Sequence, residues 1–449
     1  MSSILGDRYT MGNCFLLVAF LTLLALADNI LANALPLALE PEPPQVPGFW
    51  NLTTIALILS TVSDLVGQMS LIPVAYFFGS RCAMKLNSLS VLIASVFSLA
   101  SLFWRADGLS WIHAIAGIFK IIGGGCHATI FLTITLIRKN SFDNLRATLI
   151  YTTGAVVVLC QNIASTVTPF LAGQNQTLPY IFSIICCTLA CTVTTIYDTT
   201  ENSASVQACA NDPSTLPLLL HETASQDSQS ATLWELGEIH YRTWNNKPSM
   251  VRRVLKSLGW IFFLAAVAKA TRPLFLTYIQ HRVGITPELA SYLWSVRTVM
   301  SLVIFVVFLP LIVVVLTKYT PWPLNAINLY TAKISVILLT TGALLIGLAR
   351  SKPVLVSGLV INTLGVATDL ALLSFTADVV TDDLANCFFL TIASIESVGT
   401  LIGIFLLYPL YQLGLDDKTL FGGIPYYLCA GLFTIAGVKV WQMKSLSIR

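Results

Sequence analysis

The sequence predicts an all-α polytopic membrane protein whose twelve transmembrane helices form two pseudo-symmetric six-helix bundles. Of the 449 residues, 55% are hydrophobic and only 10% are charged, whereas a soluble domain carries roughly 25% charged residues. About twelve apolar runs are each long enough to cross a hydrocarbon core as a helix. One polar stretch, 198–249, divides these runs six and six.

The first half contains six predicted passes, at 13–36, 51–78, 84–104, 111–137, 148–171 and 178–197. The second half contains six more, at 254–280, 287–317, 325–349, 354–379, 386–411 and 421–441. Residues 1–197 and 251–449 are therefore the two predicted bundles. Residues 198–250 are predicted to be a cytosolic linker, partly disordered because polar residues dominate it. Its segment 231–246 is interpreted either as a short interfacial helix or as an irregular tether.

Lysine and arginine residues orient the chain. With the N-terminus inside, fifteen fall in inner segments and five in outer ones, and positive charge favours the cytosolic side. Both termini are therefore predicted to be cytosolic, and the plasma membrane is the default location. The two glycosylation sequons, at Asn51 and Asn175, both fall on the predicted outer side.

Several classes of protein are excluded by what the sequence lacks. A net charge of +3, concentrated on one side of the membrane, gives no case for nucleic acid binding. The ten cysteines and five histidines show no metal-binding or haem spacing and no outer pair for a disulfide. No reactive cluster or phosphate-binding loop is present. We therefore expect no enzyme activity, no cofactor and no metal, and a monomer in the lipid bilayer.

Charged residues within the predicted passes are the strongest functional signal. Eight qualify: Asp28, Asp64, Lys120, Lys269, Arg297, Lys333, Asp369 and Glu396. Each costs about 2.5 to 3.5 kcal/mol at mid-helix, so they face the protein interior or a wet cavity. Two interpretations stay open: a direct part in transport, or pairs that only lock helices together. Lys333 and Asp64 could also reach toward an interface.

Helical spacing predicts a polar face in each half. On the fourth pass the face contains His113, Lys120, Gly124 and His127, and on the tenth it contains Asn362, Gly365, Asp369 and Thr376. If the halves are repeats, these faces would meet at a cleft near the bilayer midplane. The tandem Gly123, Gly124 and Gly125 would let the fourth helix bend.

The six-loop-six plan resembles the major facilitator superfamily over nearly the whole chain, and local runs at 34–40, 278–284 and 291–297 are similar to fungal carriers of secondary-metabolite pathways. The superfamily motif after the second helix survives only as Gly79 and Arg81, since Ile72 and Tyr76 replace its first glycine and its aspartate. This departure puts in doubt the usual charge latch between the second and eleventh helices.

The fifth-helix antiporter motif of the superfamily is matched by small residues. Its positions are occupied by Ala155, Ala164, Thr168, Pro169, Ala172 and Gly173. Small side chains permit tight helix contact, and the proline permits a bend.

The resemblance implies a secondary active transporter that moves a small organic molecule by alternating access. The fifth-helix match favours proton-coupled efflux of a metabolite or toxic compound, and the alternative is a proton-coupled uptake symporter for an organic anion or nutrient. Proton-coupling candidates are Asp28 and Asp369, then Glu396 and Asp64. Substrate-cavity candidates are Asn29, Asn33, Lys120, His127, Gln161, Asn162, Lys269, Arg297 and Asn362.

Overall fold

The computed structural model describes residues 2–39, 52–105, 115–140, 143–211, 249–271, 275–320, 322–380, 382–415 and 420–443, and every element in them is helical. The N-terminal half contains α1 (Ser2–Leu39), α2 (Leu52–Phe77), α3 (Gly79–Arg105), α4 in two segments (Ala116–Ile122 and Gly125–Asn140), α5 (Asp143–Gln174) and α6 (Leu178–Asn211). The C-terminal half contains α7 (Ser249–Lys269) and a short helix after it (Phe275–Val283), α8 in three consecutive segments (Pro287–Val303, Ile304–Phe308 and Leu309–Tyr319), α9 (Leu324–Leu348), α10 in two segments (Lys352–Leu364 and Ala367–Val379), α11 (Asp382–Leu415) and α12 (Ile424–Gln442).

Eleven helical spans among these residues are long and apolar enough to cross a membrane. The remaining element, α7, carries Arg252, Arg253 and Lys256 in its first turns and Lys269 at its end, which lowers the hydropathy of every long window in it. It packs along α11 and α12 within the bundle. The predicted fold class, twelve helices in two six-helix bundles, is confirmed.

Helix α6 continues well past the predicted end of the sixth pass at residue 197 and reaches Asn211. The sequence between them contains no proline or glycine, and the first helix breaker is Pro213. The rest of the predicted linker, residues 212–248, lies outside the described residues, as does the sequon residue Asn51.

Helices α4 and α10 are both interrupted near mid-membrane. In α4, a 3₁₀ segment ends at Ile122 and the α-helix restarts at Gly125, with Gly124 and Gly125 at φ values of +75° and +66°, a region that favours glycine. The predicted bend at these glycines is confirmed as a complete break. In α10, the helix stops at Leu364 and restarts at Ala367 after Gly365.

Helix α8 contains a single π-helical turn, Ile304–Phe308, directly before the segment that begins at Leu309. Pro310 has no backbone N–H to donate to the preceding turn, and a π turn is one way in which a helix absorbs such a loss. The turn lies where α8 borders the space between the halves, because Phe305 lines the central cavity.

Packing within each half is dense, and helices of the two halves also contact each other. Within the halves, α1 packs on α5 and α6, and α9 packs on α10 and α12. Between the halves, α2 and the second segment of α4 pack on α11, while α5 packs on α8 and on the second segment of α10. The largest buried hydrophobic cluster crosses this seam, with Phe131, Ile134 and Tyr151 against Phe305 and Leu373. The seam therefore positions the candidate site.

Candidate substrate cavity and its paired charges

A cavity of about 360 Å³ lies between the two halves, within the size range of small-molecule sites. Its walls are mostly apolar. The polar side chains that line it are Thr61, His127, Gln161, Lys269, Asp369, Glu396 and Thr400. Thr61 and Thr400 are cavity residues that were not predicted, because the candidates in the sequence were charged, amide and histidine side chains.

The cavity wall carries an ion pair between α7 and α10, formed by Lys269 and Asp369. Both side chains keep about a fifth of their surface exposed, at 22% and 20%. The break in α10 places Asp369 in the first turn of the segment that starts at Ala367, where the helix dipole stabilises a carboxylate. Lys269 and the helix dipole thus both stabilise the Asp369 carboxylate, which stays in contact with the cavity.

A smaller cavity of about 40 Å³ lies behind this pair within the C-terminal half. Lys269 and Asp369 line both cavities. Arg297 from α8 lines the small one, where its Nη2 donates to Asn362 Oδ1 at 3.3 Å and its guanidinium lies 4.9 Å from the centre of the Trp294 ring. This arrangement provides a cationic pocket with aromatic walls next to the main cavity.

The N-terminal half contains a second ion pair, between Asp28 of α1 and Lys120 of α4. It is far more buried, since the two residues are only 6% and 4% exposed. Asp28 Oδ2 also accepts a hydrogen bond from the backbone N–H of Cys126 at 2.8 Å, at the start of the second segment of α4. Asp28 therefore caps that segment in the way that helix N-termini favour.

The two pairs are related by exchange of charge. In the N-terminal half the first helix carries the acid and the fourth carries the base, whereas α7 carries the base and α10 carries the acid. In both halves the interrupted helix restarts beside a carboxylate. Lys120 and His127, predicted on one face of the fourth pass, separate here: Lys120 points into its own half and His127 lines the cavity.

The other predicted substrate residues lie away from the cavity lining. Asn29 donates to the Ala25 carbonyl in its own helix at 2.6 Å, and Asn33 and Asn162 are half-buried. His113, predicted on the polar face of the fourth pass, lies outside the described residues.

The antiporter-like residues of α5 become more exposed toward the end of the helix. Ala155, Ala164 and Thr168 are buried, and Ala155 belongs to the cluster that crosses between the halves. Pro169 and Gly173 are exposed, and Ala172 is half-buried. Of the second-helix motif remnant, Gly79 begins α3 at a φ of +82° and Arg81 is half-buried in the first turn of that helix.

A group of polar contacts closes the space between the halves at the end where α4 finishes and α5 starts. Arg138 Nε donates to the Ala377 carbonyl at 2.7 Å, and its Nη2 donates to the Val380 carbonyl. These carbonyls belong to the C-terminal turn of α10, which leaves acceptors unpaired and attracts cations. Arg146 lies 3.5 Å from Asp378 in the same turn.

A buried hydrogen-bond chain lies deeper at the same end. Tyr151 of α5 donates to Asn328 Oδ1 at 2.7 Å, and Asn328 Nδ2 donates to Ser374 Oγ at 2.8 Å. We name Arg138, Arg146, Tyr151, Asn328, Ser374 and Asp378 the closed-end network. The sequence did not predict this network, although a neutral polar residue inside an apolar pass, such as Asn328 near the start of the ninth, is a signal for it.

Comparisons with solved structures give the same architecture. The human organic anion transporter MFSD10 (TETRAN) is 15% identical, with 97% of this chain and 98% of that chain covered and a TM-score of 0.61. The proton:xylose symporter XylE of the major facilitator superfamily is 13% identical, with 98% and 96% covered and a TM-score of 0.68. A bacterial homologue of the iron transporter ferroportin is 9% identical, with 96% and 98% covered and a TM-score of 0.67.

The chain therefore has the fold of the major facilitator superfamily transporters, in an integral, multi-pass membrane protein. No family model matches the sequence, and a search of curated proteins finds no match.

Proposed function

We propose that this chain is a secondary active transporter that moves a small organic molecule by alternating access, in exchange for protons. The observation that carries the proposal is the cavity between two six-helix halves, with an ion pair in its wall and the closed-end network at one end. Transporters that share the fold, named for an organic anion and for xylose with protons, support the class of function.

The closed-end network supports alternating access. It joins the halves at the end where the predicted topology puts the cytosol, and the cavity lies on the other side of it. The chain therefore corresponds to a state that is closed at this end. Transport requires the network to break while contacts form at the opposite end. Arg138 and the C-terminal turn of α10 then serve the gating role for which the second-helix motif is too degenerate.

Proton coupling is assigned to the membrane-embedded carboxyls. Asp369 and Glu396 line the cavity, and Asp28 and Asp64 lie in the N-terminal half. A carboxyl in such a place exchanges its proton with whichever aqueous side the cavity faces. The small residues of α5 favour antiport, and hence efflux of a metabolite or toxic compound such as those carried by the fungal transporters that the chain resembles. We also propose a monomer in the plasma membrane, with cytosolic termini and a glycan at the exposed Asn175.

Uptake of an organic anion with protons is the second candidate. It is supported by the side pocket in which Arg297 and Lys269 meet aromatic walls, because such a pocket suits a carboxylate attached to an apolar group.

The test is expression in a host that lacks its own exporters, with metabolites measured inside and outside the cells with and without a protonophore. Net efflux that the protonophore abolishes supports antiport, whereas proton-dependent accumulation supports the symporter instead. The variant Asp369→Asn should lose proton dependence while staying in the membrane, and Asp369→Glu serves as the matched control. Proton-driven activity of normal size in Asp369→Asn would remove this residue from the mechanism.

A further inference from the structure

The cluster around Lys120 contains more acid than base. Asp64 of α2 lies beside the Asp28–Lys120 pair: a Cβ placed on Gly125 would lie 2.6 Å from Asp64 Oδ1 and 3.3 Å from Asp28 Oδ2. The two carboxylates thus flank the same Cα at the break in α4. One lysine faces two carboxylates, so the cluster would carry a net negative charge if both were ionised.

The direct contacts distinguish the two acids. Asp28 forms the ion pair with Lys120 through Oδ1, and its Oδ2 accepts a hydrogen bond from the Cys126 N–H. Asp64 Oδ1 is buried and accepts no hydrogen bond from any residue that the structure describes. A buried acceptor without a donor is costly, and a buried charge without a counter-ion is more so. A proton on Asp64 removes the larger of these costs, because it neutralises the second carboxylate.

We propose that Asp64 is the proton-binding carboxyl of the N-terminal half and that Gln68 and Ser397 transmit its protonation to the other half. This inference rests on the proposed proton coupling and deepens it. The proton comes from water and binds a carboxylate oxygen, so no other reactant is needed. The groups that face Asp64 are Asp28 from α1 and Lys120 and Cys126 from α4.

The transmitting contacts start one turn along α2. Gln68 is fully buried, and its Nε2 donates to the Gly124 carbonyl at the break in α4, at 3.4 Å. Its Oε1 accepts from Ser397 Oγ of α11 at 2.9 Å. Ser397 follows Glu396, which lines the cavity. A single amide thus joins the break beside Asp64 to the opposite half.

The backbones of α2 and α4 are also in direct contact at this point. A Cβ on Gly67 would lie 2.3 Å from the Gly124 backbone nitrogen, so a shift of the break cannot leave α2 in place. Protonation of Asp64 weakens its attraction for Lys120, which precedes the break. The resulting shift reaches Ser397 through Gln68.

The Lys269–Asp369 pair beside the cavity differs from the Lys120 cluster in its balance of acid and base. Lys269 and Asp369 balance one to one, so that pair has no surplus acid and needs no proton to be neutral. The two halves therefore bind protons at different steps: Asp64 holds one away from the substrate, and Asp369 receives one only when transport separates it from Lys269.

The experiment needs no identified substrate. Purified full-length protein in lipid vesicles is titrated with pH while infrared difference spectroscopy follows the carbonyl stretch of protonated carboxyl groups. In parallel, electron paramagnetic resonance measures the distance between spin labels at Gln174 and Ser351 in a cysteine-depleted variant. Both positions are exposed and lie at the end of the molecule opposite the closed-end network.

We expect the wild type to show a protonated carboxyl band and a pH-dependent shift of the distance distribution. Asp64→Asn should lose both, and Asp64→Glu should restore the band, which controls for folding. Ser397→Ala should keep the band but lose the distance shift. Asp369→Asn should keep the band.

A band that persists in Asp64→Asn, or a full distance shift in Ser397→Ala, overturns the inference. The proposed function fails separately: it does so if the wild type shows neither a pH-dependent distance shift nor proton-dependent transport. If the wild type shows both and Asp64→Asn behaves identically, only the assignment of Asp64 is wrong.

Discussion

Arg138 is predicted to be the strongest single contact that keeps the closed end shut. Its guanidinium donates to two carbonyls of the last turn of α10, and each hydrogen bond to a charged group is worth about 1.5 to 3 kcal/mol. The side chain is half-buried, so hydrogen bonds to water replace part of this energy when the end opens. Arg138→Gln should therefore weaken the closed-end state by a net amount of about 2 kcal/mol, which is roughly a thirty-fold change in the ratio of the two states.

The assay is labelling of a single cysteine at Thr400, which lines the cavity, with a membrane-impermeant maleimide applied from one side at a time. Labelling from the side of the membrane that holds the two chain termini reports the minor state, in which the closed end is open. Arg138→Gln should therefore raise the labelling rate from that side by up to about thirty-fold. Labelling from the opposite side follows the major state and should hardly change.

Lys318→Gln is the matched control, because Lys318 is exposed in the last turn of α8 and its ammonium lies 5.8 Å from the centre of the Tyr319 ring. If Arg138→Gln labels like Lys318→Gln from both sides, the closed-end network does not set the equilibrium and the reasoning is refuted.

Two further predictions concern stability, each read as a melting temperature in detergent. Gly67→Ala should destabilise the fold by about 1 to 3 kcal/mol, because the new Cβ would meet the Gly124 backbone at 2.3 Å. Gly431→Ala is the control and should not destabilise the fold, because nothing lies within 4 Å of a Cβ there. Equal melting temperatures for the two variants would contradict the tight contact at Gly67. Tyr151→Phe should cost about 1 to 3 kcal/mol because Asn328 Oδ1 loses its donor in a buried site; a variant as stable as wild type would show that this bond adds nothing.

The sequence predicted the helices and the position of the bend in α4, because both follow from local properties. Hydropathy over about 20 residues identifies a spanning helix whatever surrounds it, and three consecutive glycines weaken a helix and permit the positive φ values found there. The sequence also identified the buried charges, since any ion in an apolar run is costly.

The partners of those charges could not be predicted from the sequence. Spacing along one helix fixes the face on which a residue lies but not the helix that this face meets. Lys120 and Asp369 were expected on faces that meet across one cleft, yet each pairs within its own half. Asp64, placed near an interface as one alternative, lies in the buried cluster at the α4 break. Lys333 lies 5.4 Å from the centre of the Trp441 ring.

The surplus of acid around Lys120 leads to a last prediction, which concerns asymmetry. Removing one member of a buried ion pair typically costs about 3 to 5 kcal/mol, because the remaining charge is left without a partner. Asp28→Asn leaves Lys120 with Asp64 as its counter-charge and keeps an acceptor for the Cys126 N–H, so its cost should fall well below that range. Lys120→Met leaves two carboxylates without a cation, so its cost should reach the range or exceed it.

The double variant Asp28→Asn with Lys120→Met should recover part of the stability lost in Lys120→Met, since it contains one acid fewer. A double-mutant cycle of melting temperatures in detergent measures this coupling. In the balanced pair, Lys269→Met and Asp369→Asn should cost similar amounts, because each leaves one lone charge of similar exposure. Equal costs for Asp28→Asn and Lys120→Met would mean that Asp64 does not interact with Lys120. The cluster would then be a simple Asp28–Lys120 ion pair.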